Sequence, residues 1–96
     1  MPDGFIVRTS PRFERLFRSL AKRQRDLYDL RAEVLGILSS DPYNRSRRHP
    51  IGKLAGVKPG AGQCRLRLGR WRFRYDVSGN EVMLHYCGLR REDTYR

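Results

Sequence analysis

Over residues 64–77 the chain alternates apolar and polar side chains, but the apolar phase changes partway. Cys64, Leu66 and Leu68 are even-numbered, whereas Trp71, Phe73, Tyr75 and Val77 are odd. A two-residue turn at Gly69-Arg70 accounts for the change and predicts a hairpin. That hairpin pairs Leu68 with Trp71, Leu66 with Phe73 and Cys64 with Tyr75, gathering the apolar side chains on one face. A second turn signal around Gly79-Asn80 sets Val77 opposite Val82, Tyr75 opposite Leu84 and Phe73 opposite Tyr86. The same register sends Met83, His85 and Cys87 to the other face, so Cys64 and Cys87 fall on opposite sides of the sheet.

Upstream the period becomes helical. Phe13, Leu16, Phe17 and Leu20 recur at helix spacing behind Ser10, a good N-cap, and Pro11, which suits the first helical position. Leu27, Leu30, Val34, Ile37 and Leu38 mark a second helix, starting near Asp26 as N-cap and stopped by Ser39-Ser40-Asp41-Pro42. Phe5-Ile6-Val7-Arg8 reads as an opening strand. Residues 42–63, rich in Gly and Pro, keep neither period and are expected to form a loop. The expected fold is α+β in the order β-α-α-β-β-β: an N-terminal strand, two antiparallel helices and a three-stranded antiparallel meander. The helices should cover the face made by Leu66, Leu68, Trp71, Phe73, Tyr75, Leu84 and Tyr86. With 96 residues, 39% of them hydrophobic, the chain closes one small core, so residues 1–96 are expected to be a single domain.

Charge narrows the function. The formal net charge is +11, and residues 42–75 hold ten bases and no acid. Eighteen of the 21 bases are arginines, whose planar fork suits phosphate oxygens and stacking on bases. A phosphate-rich partner is therefore expected. No stretch approaches the roughly 20 apolar residues of a membrane span, and the N-terminus lacks a secretory layout, so no membrane partner and a cytoplasmic location are expected. Cys64 and Cys87 are too few for a disulfide scaffold or a zinc site and read as reduced packing residues. No metal or cofactor is expected.

The hairpin register sets Arg67 opposite Arg72 and Arg65 opposite Arg74. Directly opposed like charges weaken a sheet, so this arrangement points to a bound anion rather than to a merely solvated face. Arg45, Arg47, Arg48, Lys53 and Lys58 make the 42–63 segment a candidate phosphate-tracking loop. His85, on the arginine face by this register, is the strand's candidate for proton transfer. Near the C-terminus, Tyr95 among arginines suits stacking on a base.

Three segments together resemble the RelE/ParE toxin superfamily of bacterial type II toxin–antitoxin systems. They are Lys53-Leu54 followed by Gly56; the run from Cys64-Arg65-Leu66-Arg67 to Trp71-Arg72-Phe73-Arg74-Tyr75; and Gly88-Leu89-Arg90-Arg91-Glu92-Asp93-Thr94-Tyr95. The resemblance spans nearly the whole chain. In its RelE branch it implies a ribosome-dependent mRNA endonuclease that cuts in the A site without a metal and leaves a 2′,3′-cyclic phosphate. Its active-site positions fall on Arg65, Arg67, Arg72, Arg90 and Tyr95, with Arg91 as the alternative to Arg90 and, with Arg74 and the loop bases, as an RNA or ribosome contact. Arg65 and Arg67 stand where the best-known member has lysines. An acidic antitoxin is the implied partner, beside the ribosome and mRNA. The ParE branch implies instead a DNA gyrase poison without nuclease activity; charge alone also fits a small basic RNA-binding protein. Arginine neutralises a phosphorane but moves protons poorly. With no Glu or Asp assigned to the arginine face, His85, Tyr95 or the ribosome must move them.

Overall fold

The computed structural model describes residues 4–89. Their order is β1 (Ile6–Thr9), α1 (Pro11–Ala21), α2 (Asp26–Ser40), β2 (Ile51–Lys53), β3 (Cys64–Leu68), β4 (Trp71–Ser78) and β5 (Glu81–Leu89). The strands form one mixed five-stranded sheet, β1-β5-β4-β3-β2, in which only the β1–β5 pair is parallel. The expected meander is therefore the middle of a wider sheet. A short strand that the sequence did not announce closes one edge, and the N-terminal strand closes the other.

Helix α1 starts where its cap predicts. Ser10 keeps extended backbone and its Oγ accepts the Phe13 N–H at 3.0 Å, while Pro11 occupies the first turn. Phe13, Phe17 and Ala21, four residues apart, bury one stripe. Helix α2 begins one residue earlier than a cap at Asp26 implies: Arg25 is its N-cap, and Asp26 lies in the first turn, where its charge suits the helix dipole. Glu14 meets Arg31 while Phe17 meets Tyr28, so the two helices run antiparallel.

That helix pair is tied by one ion pair. Arg31 donates to both Glu14 oxygens, at 3.1 and 2.8 Å, and Thr9 Oγ1 donates to Glu14 at 2.6 Å. The Arg31 hydrogen bond and then that of Thr9 pull the Glu14 pKa down to about 2, against the opposing effect of burial. A lowered carboxylate pKa stabilises the fold above the unfolded value and loses that contribution as pH falls through the folded one. Glu14→Gln is thus expected to lower stability at neutral pH and to flatten its fall between pH 4.5 and about 2. Urea titrations across that range test this. Because the Glu14 side chain is 35% exposed, solvent screens the pair and the effect should shrink with salt.

The core lies between the helices and one sheet face. Leu66, Trp71, Phe73, Tyr75, Val82, Leu84 and Cys87 meet Phe13, Phe17, Leu27, Val34 and Leu38, all buried. The β3–β4 register has all five expected pairs, from Cys64 with Tyr75 to Leu68 with Trp71. The β4–β5 register holds through Val77–Val82 and Tyr75–Leu84, then shifts: Arg74 pairs with Tyr86 and Phe73 with Cys87. His85 is the extra residue of a β-bulge, and such an insertion turns every later side chain over. Two placements are corrected by it. Tyr86, expected in the core, joins the arginine face, and Cys87, expected on that face, is buried in the core. Cys64 and Cys87 consequently share the helix side, and both are free thiols.

Candidate nucleic-acid interface

On the face away from the helices, the sheet arranges side chains in transverse rows. One row is Tyr86, Arg74, Arg65 and Gly52; the next is Gly88, Arg72 and Arg67. Strand geometry puts successive rows about 7 Å apart. All four arginines are half-buried, their stems lying on the sheet. Gly52 leaves room for the Arg65 guanidinium, whose Nη2 lies 3.5 Å from where a Cβ would stand. Gly88 does the same beneath the Tyr86 ring, and Arg12, at the start of α1, stands 5.4 Å from that ring's centroid.

The four cations are not equivalent. Arg74 is anchored by its Nε to the Gly62 carbonyl and by Nη2 to that of Ala61, both at 3.2 Å. Among the described residues the Arg67 guanidinium makes no hydrogen bond or ion pair, so it is the one most open to an external anion. Arg90, Arg91 and Tyr95 lie outside the described residues.

A third row changes the chemistry of the face. Arg8, Met83 and Asp76 lie beside the arginine rows, so the face does contain a carboxylate. Asp76 shares its parity with Arg72 and Arg74 along β4, a signal present in the sequence and missed. Its Oδ2 accepts from Gly60 N at 3.0 Å and Gly62 N at 2.9 Å, and its Oδ1 from Gln63 N at 3.0 Å. Burial opposes its ionisation, but the backbone N–H groups of Gln63 and Gly62, then His85 and Gly60, outweigh that and hold its pKa below the usual value. His85 Nε2 lies 3.0 Å from Asp76 Oδ2. An unbroken register, with Phe73 opposite Tyr86, would set this imidazole opposite Arg74; the bulge sets it against Asp76. Gly62, at φ 86° and with Arg74 Cβ 2.9 Å from its virtual Cβ, is the point where only glycine fits this clasped loop.

The loop bases are ordered but lie apart from the rows. Asp41 accepts from Arg45 N at 2.8 Å and from Ser46 Oγ at 2.6 Å, and the Asn44 side chain bonds both polar groups of the His49 backbone. These contacts hold Arg45, Arg47 and Arg48 outward. Arg45 sits over the half-exposed Tyr43 ring, 5.4 Å from its centroid. Lys53 pairs with Cys64, on the helix side of the sheet, and with Arg47 lines a cavity of about 290 Å³ at the β2 edge. The sheet therefore separates Lys53 from Arg65 and Arg67. Lys58 is exposed in the loop before β3.

Among the described residues, no three His, Cys, Asp or Glu side chains gather as a metal site requires, and no helix is long and apolar enough to cross a membrane. Fold and site thus define a small α+β protein with a cationic sheet face. No family model, curated protein or solved structure matches the chain.

Proposed function

We propose that the chain is the toxin of a type II toxin–antitoxin pair, cutting mRNA in the ribosomal A site and so stopping translation. One observation carries this reading: Arg65 stands opposite Arg74, and Arg67 opposite Arg72, on the face turned away from the core. Four guanidinium groups gathered on one sheet face concentrate positive potential there and suit the oxygens of a phosphate. When an RNA 2′-hydroxyl attacks the adjacent phosphate, the phosphorane gains negative charge. Permanently charged guanidinium groups stabilise that charge best. Arg65, Arg67 and Arg72 take this role with Arg90, while Tyr95 stacks on a base; Arg74, Arg91 and the loop bases Arg45, Arg47, Arg48, Lys53 and Lys58 hold further phosphates of mRNA or ribosome. The acidic antitoxin neutralises the toxin by covering the same cationic face.

The test is cleavage by purified protein. A defined mRNA on bacterial ribosomes should be cut in the A site, and the same RNA free in solution should be cut far more slowly. Inhibition of gyrase supercoiling without cleavage in either assay would replace this reading with a gyrase-directed toxin. Equal cleavage of free RNA would remove the ribosome from it.

A further inference from the structure

The arginine rows supply charge but no proton acceptor. Asp76 and His85, in the adjoining row, have what the rows lack. A carboxylate only accepts hydrogen bonds, so the His85 nitrogen facing it, Nε2 at 3.0 Å, carries the proton in both charge states of the ring. Nδ1 is then the basic nitrogen of the neutral imidazole. No second hydrogen bond engages that ring among the described residues, and its side chain is 20% exposed.

Two features argue that this pair is built rather than accidental. Three backbone N–H groups fix the Asp76 carboxylate, so it can orient a ring without itself moving. The single bulge of the β4–β5 ladder falls at His85 and aims its ring at Asp76 on the arginine face. Bulges commonly re-aim one side chain beside an active site.

We propose that His85 is the general base for the RNA 2′-hydroxyl and Asp76 its positioning residue, a pair that rests on the endonuclease reading above and completes it. The His85 Nδ1 takes the 2′-hydroxyl proton as the 2′-oxygen bonds to phosphorus. The bond from phosphorus to the 5′-oxygen breaks, and that oxygen takes a proton from water. The imidazolium returns its proton to solvent, leaving a 2′,3′-cyclic phosphate and a 5′-hydroxyl. Arg74 and Asp76 of β4, Tyr86 of β5, Arg65 of β3 beyond Arg74, and Arg8 of β1 in the row of Asp76 set the field around the ring.

The experiment measures kcat and KM of ribosome-dependent cleavage by parent, His85→Ala and Asp76→Asn, with and without added imidazole. His85→Ala leaves the three backbone bonds of Asp76 in place and is expected to fold. Its rate should fall about 100-fold or more, as loss of a general base does, and imidazole should restore part of it. Asp76→Asn should lower kcat and leave KM near the parent's, because the ring loses its orientation while the arginine rows still hold the RNA, a split that a purely structural role would not produce. A parent that cuts nothing overturns the endonuclease reading. A parent that cuts, beside a folded His85→Ala that cuts within about threefold of it, or that imidazole fails to rescue, overturns the pair alone.

Discussion

Trp71→Ala is expected to lower unfolding free energy by about 3–5 kcal/mol, the usual cost of deleting a large buried aromatic. Trp71 is 1% exposed, at the start of β4 between Leu68 of β3 and Leu89 of β5. Alanine there opens a cavity at the point where three strands meet the helix layer, and close-packed neighbours refill such a space only in part. In a domain this small the loss is a large fraction of total stability. Urea denaturation followed by far-UV circular dichroism measures it. Tyr86→Ala serves as the comparison, because the bulge places that ring on the arginine face, where truncation should cost clearly less. Equal losses at the two positions would return Tyr86 to the core and remove the bulge, while an unchanged midpoint for Trp71→Ala would remove the register itself.

The contrast between those two positions shows where the sequence carried the fold. The β3–β4 hairpin was legible because seven apolar residues alternate strictly and Gly69, at φ 60°, marks the turn that changes their phase. Both hairpin arms then lock in one register, since a slip of one residue would expose the whole apolar face. No comparable residue marks the bulge. His85 is neither glycine nor proline, and the extra residue shows only once Cys87, rather than Tyr86, is seen to fill the core beside Phe73. Strand β2 was illegible for another reason: three residues following Pro50 are too few to show alternation, and pairing with β3 rather than local preference makes them a strand. At the candidate site, the opposed arginines could be read directly from parity. Asp76 could have been read the same way. Its partnership with His85 could not, because it depends on the bulge and on a glycine loop clasped from 13–16 residues away.

Arg72→Ala is expected to reduce mRNA cleavage on the ribosome by about 100- to 1,000-fold, the typical cost of removing one well-placed donor of charge stabilisation. Arg72 lies directly opposite Arg67 and one row from Arg65 and Arg74, so its loss removes a quarter of the charge in the two arginine rows. The side chain stands on the face opposite the core, and thermal unfolding should therefore stay near that of the parent. Tyr95→Ala should be comparably inactive if its ring stacks on the base next to the scissile phosphate, although it adds nothing to charge. Salt separates the two losses. Phosphate contacts weaken as salt rises, whereas stacking does not, so residual cleavage by Tyr95→Ala should keep the parent's salt dependence and that of Arg72→Ala should be shallower. A gyrase-directed toxin predicts the opposite pattern for both variants: cells remain poisoned, supercoiling remains inhibited, and the arginine rows prove dispensable. Toxicity that survives Arg72→Ala and Tyr95→Ala together would therefore move the functional surface away from the sheet face and onto the helices.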